Sequence, residues 1–93
     1  MEISVQIEYK NEKLKLLREK AGLSQSQLAA AADLSVRVLQ NYEQGSRNLN
    51  GAKLITLLRL CKALGCTLSD LISDPQSLQL LDEIYSANEN AGE

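Results

Sequence analysis

Ser24–Gly45 reads SQSQLAAAADLSVRVLQNYEQG, and it contains two helix starts and one helix stop. The Ser24 hydroxyl can accept from the free amides of the turn after it. Gln27, three residues on, completes an S-x-x-Q capping box. Leu28, Ala29, Ala31 and Ala32 continue as a helix of small side chains, which a second helix can cross closely. Asp33-Leu34 is the turn, Ser35 is a second N-cap, and Val36–Glu43 is the second helix. Gly45 is placed to stop it, because glycine accepts the left-handed conformation that closes a helix.

The second helix has two unlike faces. Leu39 and Tyr42 are three apart and share one, with Val38 at its margin. The other carries Val36, Arg37, Gln40 and Asn41. A guanidinium suits guanine, an amide suits adenine, and Val36 can meet a thymine methyl. A helix–turn–helix places the first residues of its second helix in the major groove.

The stretch LREKAGLSQSQLAAAADLSVRVLQNYEQGSRNLN resembles the helix–turn–helix family of the Cro and lambda-type repressors, often called the XRE family. The residues that carry the resemblance are Leu17-Arg18, Gly22-Leu23-Ser24-Gln25, Leu28-Ala29, Ser35, Leu39, Tyr42-Glu43 and Gly45, continued by Leu64-Gly65, Leu68 and Leu71. It covers residues 13–72. Asp33 stands where the family usually has glycine. Aspartate tolerates the left-handed region better than most side chains, at a cost of about 1 kcal/mol, so the turn is expected to survive.

Composition agrees with an all-α chain. Ninety-three residues make one domain, its apolar part mostly Leu and Ala, with no Phe or Trp. No apolar run approaches a membrane span and no secretory leader is visible, which makes a cytoplasmic protein the default. Net charge is −2, which by itself disfavours DNA. Its distribution reverses that. Residues 10–62 hold all ten bases against four acids, whereas residues 63–93 hold six acids and no base. The acidic tail is either a solubilising appendage or a docking element. Cys61 and Cys66 make no disulfide framework, and without any histidine no metal site or cofactor is expected. The lack of histidine and of a glycine-rich phosphate loop also argues against an enzyme, since no Ser or Cys has a base partner.

In chain order, Met1–Ile7 alternates Ile3, Val5 and Ile7 with polar residues, the pattern of a short strand that either pairs with a second copy or frays. Lys10–Ala21 is helix one, with Leu14, Leu17 and Ala21 as its apolar stripe and Gly22 as its stop. Gln44–Asn50 is a loop. Gly51–Leu64 is helix four, which Asn50 can cap, and its apolar surface is wide enough to need two partners. Thr67 or Leu68 starts helix five. Pro75 suits the first turn of a sixth helix over Gln76–Ser86, and Ala87–Glu93 is expected to be disordered. The expected architecture is a five-helix repressor-like bundle with an extra C-terminal helix. Residues 1–9 form an N-terminal extension, 10–73 the DNA-binding domain, and 74–93 the last helix and tail.

The resemblance implies a sequence-specific regulator of transcription that binds double-stranded DNA as a homodimer, most simply a repressor. It places Val36, Arg37, Gln40 and Asn41 at base-reading positions. Gln25, Ser35 and Arg47 fall at phosphate positions, and Glu43 matches a structural glutamate. The residues themselves leave other roles open. Gln25 can simply complete a cap, Arg37 can pair with Asp33, and Gln40 and Asn41 can be solvated amides. The rival function is an antitoxin or adaptor that binds a protein partner. A continuous basic face around Gln25, Arg37 and Arg47 would favour DNA; an acid intruding there would favour the adaptor. The dimer surface is open among Met1–Ile7, helices four and five, and the last helix.

Overall fold

The computed structural model describes residues 11–91, and their side chains as far as Ser86. It is all-helical over that range. The order is α1 (Glu12–Lys20), α2 (Gln25–Ala31), α3 (Val36–Gln44), a 3-10 turn (Leu49–Gly51), α4 (Leu54–Leu64), α5 (Leu68–Leu71) and α6 (Pro75–Ala91). The strand pattern of Met1–Ile7 lies outside the described residues.

Local chemistry sets most of these boundaries. At Ser24 the capping box is complete: Gln27 N–H donates to Ser24 Oγ at 3.1 Å, and Ser24 N–H to Gln27 Oε1 at 2.9 Å. Val38 N–H donates to Ser35 Oγ at 3.1 Å, which starts α3. Thr67 and Asp70 form a second capping box at α5. Asp33 closes α2 with φ 56°, the geometry that Gly45 supplies after α3 with φ 87°. Leu34 N–H donates to Ala29 O at 2.8 Å and Asp33 N–H to Ala30 O at 3.3 Å, so the turn forms without glycine.

The helices pack as a helix–turn–helix on a support. α2 crosses α3 and α4, α1 lies on α3 and α5, and α4 touches α5. Leu14, Leu28, Leu39, Leu49, Leu60 and Leu71 are fully buried where these elements meet. Each is worth about 1.5–3 kcal/mol relative to exposure. Ala29 and Ala32 face the same core, and their small volume is what brings α2 close to its neighbours. Tyr42, Leu57, Cys61 and Ile72 are buried with them. Burial pushes the Cys61 thiol up, and the Cys66 thiol to about 12, so neither is a thiolate at neutral pH.

Several expectations need correction. Helix one begins at Glu12, and Ala21 is its exposed C-cap, not part of the stripe. Helix three runs one residue further, to Gln44. Helix four begins at Leu54, not Gly51, because Leu49–Gly51 winds as a 3-10 turn capped by Asn48. Asn50 does not cap α4. Its Oδ1 accepts from Ser73 N–H at 2.9 Å and Asp74 N–H at 3.2 Å, and its Nδ2 donates to Ser73 Oγ at 3.3 Å. It therefore clips the chain between α5 and α6. Asp74 then caps α6, accepting from Ser77 N–H and Oγ at 3.0 and 2.6 Å, with Pro75 in the first turn. The disordered tail expected from Ala87 is also corrected. α6 continues to Ala91, since no helix breaker occurs between Ser86 and Gly92.

Candidate nucleic-acid interface

The surface built by α2 and α3 rests on one buried ion pair. Arg18 of α1 donates to Glu43 of α3 twice, Nε to Oε2 at 2.7 Å and Nη2 to Oε1 at 3.0 Å. Its Nη1 donates to the Leu23 carbonyl at 3.0 Å. The Arg18 and Glu43 side chains are 12% and 4% exposed. The hydrogen bond from Arg18 to Glu43 raises the arginine pKa further, against the opposing effect of desolvation. A half-removed pair of this kind costs about 3–5 kcal/mol, because the remaining charge stays buried.

That pair orients the amides above it. A carboxylate only accepts, so Gln25 must turn its NH2 toward Glu43, at 3.3 Å from Oε1. Its carbonyl oxygen then faces Gln40, whose Nε2 donates to it at 3.2 Å. Gln40 retains its own oxygen and one N–H, the pair of groups a bidentate contact with adenine requires. The sequence singled out Gln25, Gln40 and Glu43 separately; only the fold shows them as one chain of hydrogen bonds reaching back to Arg18. A legible hint existed in two opposite charges on otherwise apolar helix faces.

The other expected site residues fall as follows. Arg37 is exposed on α3 and does not pair with Asp33, whose partner is Arg59 at 3.4 Å. The Asn41 side chain makes no hydrogen bond among the described residues. The Asn41 backbone carbonyl accepts from Gly45, Ser46 and Arg47 N–H at 3.1, 3.0 and 3.2 Å, which folds the following loop back over the helix end. Arg47 is thereby held beside α3, its guanidinium carbon 6.0 Å from the Tyr42 ring centroid, the outer limit of a cation–π contact. Ser35 is exposed, its hydroxyl accepting from the cap amide. Val36 is half-buried and packs against the core, so it presents less surface than the helix pattern implied. No cluster of three or more His, Cys, Asp or Glu that could hold a metal occurs among the described residues. No described helix is long and apolar enough to cross a membrane.

Residues 14–71 match the helix-turn-helix family. The chain belongs to that family. Among its helix-turn-helix relatives is the control protein C.MunI from Mycoplasma sp, 39% identical over 70 residues that cover 75% of this chain and 90% of the relative. The restriction-modification controller protein C.AhdI from Aeromonas hydrophila is 33% identical and superposes with a TM-score of 0.58, covering 66% of this chain and 88% of its own. The clp gene regulator ClgR from Corynebacterium glutamicum shares the fold at 21% identity, over 96% of this chain and 88% of its own, with a TM-score of 0.60.

Proposed function

We propose that this helix-turn-helix protein is a cytoplasmic, sequence-specific regulator of transcription that binds duplex DNA as a homodimer, most simply as a repressor. The observation that carries this reading is the ordered polar surface of α2 and α3. There Arg37 and Asn41 are uncommitted among the described residues, and Gln40 is oriented by the chain Arg18–Glu43–Gln25. The acid within that surface, Glu43, is buried and neutralised by Arg18, and Asp33, exposed in the α2–α3 turn, has Arg59 at 3.4 Å. In this reading Arg37, Gln40 and Asn41 face base edges, with Val36 a minor apolar contact. Gln25, Ser35 and Arg47 touch phosphate and set the register. Dimerisation places two copies of α3 about one DNA turn apart and doubles the readout.

Selection from random duplexes at moderate salt tests this. Wild type is expected to enrich a palindrome. Arg37→Ala with Asn41→Ala loses that preference, each lost base contact costing about 1–3 kcal/mol. Gln25→Ala weakens binding to every sequence and relaxes the preference only at the base that Gln40 reads. Failure of the wild type to enrich anything, even at low salt, would remove the DNA reading. The second reading, docking to a protein partner, is favoured by a different observation: the large apolar side chains left exposed on α4 and α6.

A further inference from the structure

α6 lies beyond residues 14–71, and so outside the part of the chain that the helix-turn-helix family accounts for. It has two apolar sides. Leu78 and Leu81 are half-buried against the core. Leu80 and Ile84 are 57% and 53% exposed and line a groove of about 260 Å³ with Leu57 of α4, Leu68 of α5 and Ile72 just after it. Tyr85 is 54% exposed beside them. On α4, Leu54, Ile55 and Leu58 are also exposed. Leu54 is one turn from Leu57, so the α4 patch continues into the groove wall.

We infer that this α4–α6 face is where two copies of the chain join, α6 of each copy lying on α4 of the other. The inference rests on the homodimeric part of the function proposed above and names its surface. Size is the first argument. Six large side chains, each about half exposed, offer on the order of 600 Å² of apolar surface, close to the ~800 Å² per partner of a standard interface. Charge is the second. Lys53 and Lys62 flank the apolar patch of α4, with Arg59 beside them 3.4 Å from Asp33, whereas α6 carries exposed Asp82 and Glu83 and no base. Crossing each α6 onto the opposite α4 sets acids against bases twice, which is the self-complementarity a two-fold interface requires. Position is the third. None of the six side chains is on α2 or α3, so joining through them leaves both base-reading helices free.

Sedimentation equilibrium of the full chain tests the assignment. Wild type is expected to be a dimer at micromolar concentration. Leu80→Glu with Ile84→Glu is expected to raise the dimer dissociation constant at least 100-fold with native circular dichroism. Leu58→Glu, on the other element of the face, is expected to do the same and covers the case in which α6 tolerates no charge. Leu16→Glu, on the exposed side of α1, is the control and leaves association unchanged. A palindromic duplex should lose affinity for the double variant while a half-site does not. A wild type that is monomeric at 100-fold higher concentration overturns the inference. A dimer that ignores both variants overturns this surface and leaves a dimeric regulator standing. Loss of half-site binding by a natively folded double variant also overturns it, by placing the face at DNA. A wild type that dimerises through this face yet enriches no duplex sinks the DNA reading and leaves the inference intact.

Discussion

Around α3 and across α4–α6 the protein shows two solvent faces of opposite construction. Near α3 the exposed groups are polar, and Gln40, Gln25 and Glu43 already hold one another in line. Across α4 and α6 the large exposed side chains are leucines, isoleucines and a tyrosine, rimmed by charge, and apolar groups make no hydrogen bonds to hold one another in line. A polar surface that must read another polar surface benefits from groups fixed in advance, since ordering them on binding costs about 0.5–1.5 kcal/mol per side chain. An apolar surface needs only area and shape, because the driving force is non-directional. The first face is therefore sensitive to single atoms, the second to charge placed anywhere within it.

The largest effect separating the two faces should come from Glu43→Ala. It leaves Arg18 buried without its carboxylate and frees Gln25 and Gln40. We expect a loss of about 3–5 kcal/mol in urea unfolding and a fall in DNA selectivity, with the α4–α6 face untouched in any folded fraction. A change below 1 kcal/mol would show the pair to be a surface ornament. Asp33→Gly is the milder change on the same side. Relief of the left-handed strain exceeds the entropy cost of glycine by little, so a gain of about 0.5 kcal/mol is expected. A loss greater than 1 kcal/mol would mean that the 3.4 Å contact between Asp33 and Arg59 matters more than an exposed pair should.

Acid should act mildly, and on the other side. Hydrogen bonds from the Thr67 amide and hydroxyl hold the Asp70 carboxyl below its usual range, and those from Ser77 do the same for Asp74. A depressed folded value means the stabilisation is complete above the unfolded value, near pH 4, and is lost as pH falls through the folded one. The α5 and α6 starts should loosen in that window. The amide NMR shifts of Thr67 and Ser77 should follow the titration of Asp70 and Asp74. Flat amide shifts down to pH 2 would show that the two caps are not what starts these helices.

Much of the fold was legible because its signals are local. Ser24 with Gln27, Ser35 and Gly45 each act within one helical turn, so the α2–α3 unit could be placed almost to the residue. Asp33 was legible as a departure and its turn as one that survives. Legibility failed where a side chain had remote options. Asn50 stands where a cap for α4 is plausible, yet it bonds to Ser73 and Asp74, more than twenty residues away. Asn11 likewise donates to the Leu71 carbonyl at 2.7 Å, and Lys13 to the Ile72 carbonyl at 2.8 Å, tying α1 to the end of α5. Nothing in their neighbours announces those partners. The end of α6 is hard to read for another reason: its polar composition matches that of a disordered tail, yet no residue between Ser86 and Gly92 breaks a helix.

The sequence by itself determined the helical class, the caps, the turn of the helix–turn–helix and the two-faced character of α3, because periodicity and capping depend on residues three or four apart. Only the tertiary structure decided that Arg18 holds Glu43 from another helix, that Gln25 thereby turns Gln40, and that α6 leaves Leu80 and Ile84 bare beside α4. Those outcomes depend on which helix lies against which. That choice is made by the burial of Leu14, Leu28, Leu39 and Leu60 together, and no single stretch of the chain contains it.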